Sequence, residues 1–245
     1  MQRKSKLCGF RNIKFGCQRI PLIKVKEELY KLDVFEGLPE DEFELLGGLS
    51  NIRTIGKSNF IYQPGDVADK VFFVLDGMVK TGTYNEEGKE AIKHIICKGE
   101  MFGELGLTGV DERSDFSATL KKEATVLFIP VSEMRGAMRR NPGLGLNLIN
   151  KLGGRIKQSE KRLEELIFKD SRARIISFIR TQADKTGKNY GDEVLIKHGL
   201  TQQDMANLTG TSRQLVTIIL NDLRKEDQIN FDRSSILIRD IASLQ

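Results

Sequence analysis

The chain has 245 residues, and its 39 Lys or Arg against 34 Asp or Glu give a formal net charge of +5 at pH 7. This length suits one large or two small domains, and we expect two because a domain usually holds about 150 residues. No apolar run approaches the ~18 residues of a membrane span, and the basic start lacks the apolar centre of a secretory signal, which predicts a cytoplasmic protein without a membrane partner.

The positive charge is concentrated at the N-terminus. Residues 1–24 contain 7 basic and no acidic side chains, whereas residues 170–245 contain 11 basic and 10 acidic ones. We expect 1–24 to be a disordered basic extension. Three interpretations fit it: an arm that touches DNA, a targeting-like extension, or sequence upstream of the natural start.

Cysteine and histidine residues are too sparse for a metal site. Cys8, Cys17 and Cys97 form neither an even disulfide framework nor a Cys-x2-Cys knuckle, so we expect free thiols in a reducing compartment. His94 and His198 each lack a second ligand at a usable spacing, and we expect both to be structural. The sequence therefore predicts no bound metal.

Two short helices are predicted at the start of the first domain, which we place at 25–140. A helical spacing is shown by the apolar residues Val25, Leu29, Leu32 and Phe35. The segment 37–39, Gly-Leu-Pro, ends that pattern, and acidic residues then open a second helix. We expect both helices to pack beside a sheet.

Short β-rich runs separated by turn residues then follow, over about 52–130. The predicted strands are 59–62, 71–75, 78–84, 92–96 and 125–129. Turn chemistry such as Pro64-Gly65-Asp66 separates them. Short, regularly spaced strands without long helices between them predict an antiparallel roll or jelly roll, which commonly encloses a small-ligand cavity.

A long helix is predicted within 141–169, after Asn141-Pro142. Its apolar positions follow heptad steps of three and four. The seam positions are Ile149, Leu152, Ile156, Ser159, Leu163 and Leu166. With charged residues on its flanks, this seam predicts a parallel two-stranded coiled coil and hence a homodimer, the alternative being one apolar face packed on the roll. Ser159 is the polar exception, and a ligand lodged against the seam would give it a partner.

The most specific pattern in the chain lies near its C-terminus. Thr201 can cap a first helix together with Asp204, and Gly210 can adopt the turn conformation with positive φ. Ala206, Gly210 and Val216 are spaced to lie inside the angle between two short helices. The pattern predicts a helix-turn-helix.

Polar residues near the start of the second helix are the types that read double-stranded DNA. Arginine donates a bidentate pair to guanine, glutamine to adenine, and Ser or Thr binds phosphates or base edges. The candidate DNA-binding residues are Thr201, Gln202, Ser212, Arg213, Gln214, Thr217 and, further along the chain, Arg233. The alternative is a structural helical hairpin, because many hairpins carry Ala and Gly at a crossing.

A wing is predicted after the second helix. The segments 229–231 and 236–238 are spaced as two strands around the turn 232–235, and Arg233 at the tip is expected to touch phosphate, with a solvated turn as the alternative. Residues 170–245 are therefore predicted to form a winged helix-turn-helix domain.

Taken together, the motifs resemble the Crp/Fnr family of bacterial transcription regulators, nearest in motif terms to the cyclic-AMP receptor proteins. The resemblance starts at about Val25 and rests on 64–66 with 72–77, on 102–107 followed by 112–114, and on the C-terminal winged helix-turn-helix. It implies an α+β fold: an N-terminal cyclic-nucleotide-binding-like β-roll (double-stranded β-helix or jelly roll), a long dimerisation helix and a C-terminal winged helix-turn-helix. It also implies a homodimer on a pseudo-palindromic operator, a small effector in the roll, and RNA polymerase as a further partner.

The resemblance also implies a phosphate cassette in the roll, in which backbone amides and an arginine hold the cyclic phosphate and a glutamate accepts from the ribose hydroxyl. The candidate ligand-binding residues are Gly103, Glu104, Leu105, Arg113, Ser114, Arg155 and Ser159. Two residues depart from the family's pattern: Asp115 directly follows the Arg-Ser pair, and Glu160 stands where the family has a serine. Three outcomes stay open: a cyclic nucleotide such as cyclic AMP, another small effector, or no effector with the glutamate and both arginines in an internal salt bridge.

Other departures narrow the interpretation further. The family's iron–sulfur branch needs a clustered N-terminal cysteine set that Cys8 and Cys17 do not provide, and we expect no haem. Gln214 stands where the family usually has glutamate and Ile218 where it often has arginine, so the operator is expected to differ from that of the nearest relatives.

One alternative to a DNA-binding regulator is a cyclic-nucleotide-binding module that acts on a partner protein. An enzyme is not expected, with no catalytic residues, because no nucleophile elbow, P-loop or metal cluster is present in the sequence.

Overall fold

The computed structural model describes residues 21–120 and 122–244, so the predictions for Cys8, Cys17 and most of the basic extension lie outside the described residues. The α+β architecture of roll, long helix and winged helix-turn-helix is confirmed. Helix α1 (Leu22–Tyr30) begins after Pro21 and ahead of the predicted boundary at 25. The last residues of the predicted disordered extension are therefore helical.

The sensor half of the chain forms a roll of two antiparallel four-stranded sheets. Helix α2 spans Glu40–Leu49, and a 3-10 turn at Asp33–Phe35 separates it from α1. The strands are β1 (Asn51–Ile55), β2 (Phe60–Tyr62), β3 (Lys70–Asp76), β4 (Val79–Tyr84), β5 (Glu90–Ile96), β6 (Met101–Phe102), β7 (Phe116–Thr119) and β8 (Ala124–Pro130). One sheet has the order β1-β8-β3-β6 and the other β2-β7-β4-β5.

The five predicted strands are confirmed as β2, β3, β4, β5 and β8, but β1, β6 and β7 were missed. Strand β7 is buried at all four positions and pairs with strands on both sides. It has only four residues, and Ser117 and Ala118 are not among the β-branched and aromatic types that mark a strand, so its sequence signal is weak.

Aromatic side chains fill the space between the two sheets. The rings of Phe72 and Phe102 stack with centroids 5.0 Å apart, and Tyr62 lies 6.2 Å from Phe102. Side chains of both sheets join them in one buried cluster, including Val74 and Val79. The sheets are thus held together by a packed aromatic layer at the place where the sequence predicted a ligand cavity.

Helices α3 (Val131–Arg140) and α4 (Pro142–Phe168) follow the roll. Leu144 and Leu148 of α4 are buried in the sensor core, and Leu152 packs against the same core. Leu152 was predicted in the dimer seam, but it lies four residues after Leu148 and shares that face of the helix. Among the helices of 21–120 and 122–244, none is both long and apolar enough to cross a bilayer.

The C-terminal domain places two short helices against a small sheet. Its elements are α5 (Ser171–Thr186), β9 (Lys188–Tyr190), β10 (Glu193–Lys197), α6 (Gln202–Thr209), α7 (Arg213–Lys225), β11 (Ile229–Phe231) and β12 (Ser235–Ile238). The predicted wing strands are confirmed as β11 and β12, but they belong to a four-stranded sheet of order β11-β12-β10-β9. Ile196 of β10 pairs with Ile236 of β12. Both side chains are buried in the hydrophobic core that this sheet shares with α6 and α7.

Candidate functional site

The helix-turn-helix is set by hydrogen bonds at its helix ends. Thr201 Oγ1 accepts from the N–H of Asp204 at 3.0 Å, and Asp204 Oδ2 accepts from the N–H of Thr201 at 2.9 Å, which forms the predicted capping box. Ala206 and Val216 are fully buried where the helices cross. Gly210 has a φ of +65° as predicted, but it is exposed at the end of α6 and not inside the crossing, because it serves the left-handed cap.

Helix α7 has two contrasting faces. Its inner face is buried and is formed by Val216, Ile219, Leu220 and Leu223. Its outer face exposes Arg213 and Gln214, whose side chains form no hydrogen bond with the rest of 21–120 or 122–244. Ser212 is the N-cap and accepts from the N–H of Leu215 at 3.2 Å. Arginine and glutamine side chains are thus presented at the N-terminus of the helix, the end that enters the major groove in this motif.

The structure differs from the sequence prediction at Thr217. This side chain was predicted to point outward, but it is half-buried. Its hydroxyl oxygen lies 2.8 Å from Oε1 of Gln202 and 2.9 Å from the carbonyl oxygen of Arg213. The hydroxyl therefore ties α7 to the start of α6, and the amide nitrogen of Gln202 is the group of this pair that can still donate to a phosphate.

The wing tip is a hydrogen-bonded turn. Asp232 Oδ1 accepts from the N–H groups of Ser234 at 2.6 Å and Ser235 at 2.7 Å. These hydrogen bonds lower the pKa of the Asp232 carboxyl to about 2. Arg233 is exposed beside this turn, at the apex of the wing.

In the roll, Arg113 is a buried residue with internal partners. Its side chain is 5% exposed, Nη1 donates to the carbonyl oxygen of Gly103 at 2.7 Å, and Nη2 donates to that of Lys70 at 2.5 Å. The guanidinium lies 4.5 Å from the ring centre of Tyr62 and 5.8 Å from that of Phe72. Nε is buried without a hydrogen-bond partner among the described residues. Both terminal nitrogens predicted to hold a phosphate are therefore engaged by the backbone.

Gly103 is required by this packing. It adopts a φ of +74°, and a Cβ there would lie 3.0 Å from both Arg113 Nη1 and Phe72 Cδ2. Leu105 and Ser114, the neighbouring members of the predicted cassette, are exposed.

A second pair links the roll to α4. Arg155 Nη1 donates to Glu104 Oε1 at 2.6 Å, and Nη2 donates to the carbonyl oxygen of Met101 at 2.5 Å. Ser159 Oγ donates to the carbonyl oxygen of Arg155 at 3.0 Å. The internal salt bridge considered from the sequence is thus present between Glu104 and Arg155, but Arg113 takes no part in it.

Arg155 and Ser159 also line a groove of about 1230 Å³ between α4, β5 and α5. His94 lies in the same wall. Burial, followed by the positive charge of Arg155, lowers the pKa of His94 to about 4, so the imidazole is neutral at pH 7. Burial also raises the pKa of the Asp115 carboxyl, and the charges of Lys93 and Arg113 offset that rise only in part.

A cluster of charged residues that was not predicted joins the roll to the helix-turn-helix. Lys80 Nζ lies 2.6 Å from Glu90 Oε1 and 3.2 Å from Asp204 Oδ1, and all three side chains are at most 20% exposed. Asn207 Nδ2 donates to the other oxygen of Glu90 at 3.2 Å. Burial alone would lower the pKa of Lys80, but the two carboxylates raise it, so the ammonium is charged at pH 7.

Arg162 of α4 makes a second connection that the sequence analysis missed. Nη1 donates to the carbonyl oxygen of Lys93 at 2.7 Å, and Nη2 donates to those of Ile92 at 2.8 Å and Leu208. One side chain thereby touches the long helix, strand β5 and helix α6. We call Lys80, Glu90, Asp204 and Arg162 the interdomain cluster. No sequence pattern could reveal it, because Lys80 and Asp204 are 124 residues apart.

Known families match both halves of this architecture. Residues 52–141 match the cyclic nucleotide-binding domain family, and residues 173–245 match the Crp-like helix-turn-helix domain family. These spans contain the roll with its buried arginine and the two-helix unit with its wing.

Individual relatives cover most of the chain. The global nitrogen regulator of Synechocystis sp. is 30% identical over 195 residues, which is 79% of this chain and 86% of the relative. The CRP-like cAMP-activated global transcriptional regulator of Mycobacterium tuberculosis is 26% identical over 214 residues, or 87% and 95% of the two chains. The structure of FixK2 from Bradyrhizobium japonicum has the same fold, with a TM-score of 0.71, 17% identity, and coverage of 80% and 95%. The chain therefore belongs to the Crp/Fnr family and is a DNA-binding transcription regulator.

Proposed function

We propose that this regulator binds a pseudo-palindromic operator as a homodimer, with α7 of each protomer in the major groove, under control of a small effector bound between the roll and α4. The observation that carries the proposal is the contrast between the two faces of α7. Arg213 and Gln214 are exposed and have no side-chain partner within the described residues, while the opposite face is buried. Polar side chains without internal partners are available to base edges without cost to the fold.

The residues of the DNA interface divide into two roles. Arg213 and Gln214 contact bases, because their paired donors and acceptors match guanine and adenine. Four of the remaining candidates position the protein on phosphates, and they are Thr201, Gln202, Ser212 and Arg233. Thr217 acts indirectly, because its hydroxyl group holds the Gln202 amide. Residues 170–245 have 11 basic and 10 acidic side chains, so their non-specific affinity for DNA is weak. Base contacts and dimerisation therefore supply most of the affinity for the operator.

Dimerisation through 141–169 rests on exposed apolar residues of α4. Ile149, Ile156 and Leu163 recur every seven residues and are 62%, 59% and 59% exposed, with Leu166 at 45%. A stripe with this period fits a second copy of the same helix in a coiled coil. The chain then consists of a sensor at 25–140, this dimerisation helix and a DNA-binding domain at 170–245. In the dimer, the two DNA-binding domains contact half-sites about 34 Å apart. RNA polymerase is the further partner that the family resemblance suggests.

The operator is the first thing to measure. Duplexes selected from a random pool by the full-length protein should enrich an inverted repeat, which anisotropy titrations can then quantify. Arg213→Ala should weaken binding about 10- to 100-fold per half-site, because a bidentate arginine–guanine pair is lost. Lys225→Ala is the matched control, because it removes one charge from the same helix about 18 Å away. Equal losses in the two variants would contradict base reading by Arg213.

The effector is proposed as a small anion, and cyclic AMP is the first candidate because the Mycobacterium tuberculosis relative is named cAMP-activated. Arg155 and Ser159 line the groove, and the unpartnered Nε of Arg113 is a further donor. The fit to a phosphate is incomplete, because Arg113 must exchange the carbonyl oxygens of Gly103 and Lys70 for it. Binding would then loosen the contact between β3 and the turn after β6.

Calorimetric titration with cyclic AMP and cyclic GMP tests this assignment. Micromolar binding that is weakened at least tenfold in Ser159→Ala and unchanged in Glu164→Ala would support a cyclic nucleotide at α4. Glu164 is a suitable control because it is an exposed residue on the same helix that does not line the groove. Absence of heat with both nucleotides would exclude them as effectors and leave the DNA interface untouched.

A further inference from the structure

One exposed apolar side chain on the DNA-facing surface is not explained by the assignments above. Ile218 is 54% exposed, and within the described part of 170–245 it is the only large aliphatic side chain with more than half of its surface exposed. The exposed aromatic of this domain, Tyr190, lies on the edge strand β9 of the small sheet. Ile218 instead follows Gln214 by four residues on the outer face of α7.

The geometry of an α-helix fixes what Ile218 can reach. Residues four apart lie on one face and are separated by about 6 Å along the axis. Base pairs are about 3.4 Å apart, so Ile218 reaches a pair within about two steps of the one that Gln214 contacts. A helical side chain also leans toward the helix N-terminus, and β-branching leaves isoleucine essentially one χ1 rotamer, so its methyl groups are held over Gln214.

We infer that Ile218 contacts the 5-methyl group of a thymine, and that Gln214 and Ile218 together select A·T pairs at neighbouring operator positions. The inference rests on the proposed entry of α7 into the major groove. Isoleucine has no donor or acceptor and cannot read the hydrogen-bonding edges of bases. The thymine methyl is the one apolar group that distinguishes base pairs in that groove.

The test removes that methyl group and nothing else. In the selected operator, each thymine is replaced in turn by deoxyuracil, symmetrically in both half-sites, and binding of the full-length protein is measured. One thymine, within two base pairs of the position affected by Gln214→Ala, should show about 4-fold weaker binding per half-site and about 15-fold weaker binding overall, as expected for the loss of one buried methyl group.

Variants assign the effect to the side chain. Ile218→Ala should bind the thymine and deoxyuracil duplexes equally, and Tyr190→Ala should discriminate as well as the unmodified protein does. Equal binding of every deoxyuracil duplex by the unmodified protein overturns the inference, as does discrimination that persists in Ile218→Ala. Failure to enrich any duplex would instead overturn the groove interface itself, which is a different result from an operator that is bound but insensitive to the methyl group.

Discussion

The functional side chains on the outer face of α7 are exposed and unpaired within the described residues, whereas those of the predicted effector cassette are largely buried or paired within the fold. Arg213 and Gln214 extend into solvent, and the fold of α7 depends on the apolar residues behind them. Arg113 is buried between aromatic rings with two carbonyl oxygens as partners, and Glu104 is paired with Arg155. A surface that meets an external partner can be changed without loss of stability, whereas the cassette can bind a ligand only by exchanging internal contacts.

The interdomain cluster lies between the roll that contains the cassette and helix α6 of the helix-turn-helix. Lys80 and Glu90 belong to the roll and Asp204 to the capping box of α6, while Arg162 reaches from α4 to both. We therefore expect a shift of α4 against the roll to act on the helix-turn-helix through these partly buried charges.

Arg113→Ala should have the largest effect on stability. The free energy of unfolding should fall by about 3–5 kcal/mol, because two buried carbonyl oxygens lose charged donors and two rings lose their cationic neighbour. Denaturant titration followed by circular dichroism measures it. A loss below about 1 kcal/mol would show that Arg113 is not held by these contacts in solution.

Lys80→Met tests the connection between the regions. It leaves the carboxylates of Glu90 and Asp204 partly buried without their cation, so the free energy of unfolding should fall by about 2–4 kcal/mol. Amide exchange across Gln202–Thr209 should accelerate. Lys89→Met is the matched control, because it removes an exposed lysine next to Glu90. Unchanged exchange in α6 with lowered stability elsewhere would argue against a coupling role.

The titration of His94 reports on the cassette. Its pKa of about 4 lies below the ~6.5 of an unfolded histidine, so the unfolded chain binds more protons and stability falls as pH drops from about 6.5 to 4. Arg155→Ala should raise the pKa of His94 and Glu104→Gln should lower it, because the arginine repels and the glutamate attracts the added proton. Proton NMR can measure this, with His198 as the only other histidine. Shifts of the same sign would contradict the geometry.

Arg213→Ala should have the smallest effect on stability, a change within about 0.5 kcal/mol. The side chain has no partner in the described residues, and a cation in the first turn of a helix opposes the helix dipole. Thermal melts of this variant beside Arg113→Ala compare the two regions directly. A large destabilisation would show that the outer face of α7 also supports the fold.

Much of the fold could be predicted from local sequence patterns. Three such features are the capping box, the positive φ of Gly210 and the heptad spacing on α4. Each depends on residues only a few positions apart, so each can be recognised without a structure. The five predicted strands are rich in β-branched or aromatic residues and are bounded by turn residues, whereas β7 was missed because it is short and contains Ser117 and Ala118.

The sequence by itself determined the plan of roll, long helix and winged helix-turn-helix, and it identified Arg213 and Gln214 as outward-facing residues at the start of α7. Only the tertiary structure decided that Arg113 is engaged by backbone carbonyl groups, that Leu152 packs on the sensor and that Lys80 reaches Asp204. The physical reason is the sequence separation of the interacting residues. Helix caps and helix faces depend on residues a few positions apart. The partner of a buried charge can lie in any segment that the fold brings close to it, so the sequence does not reveal it.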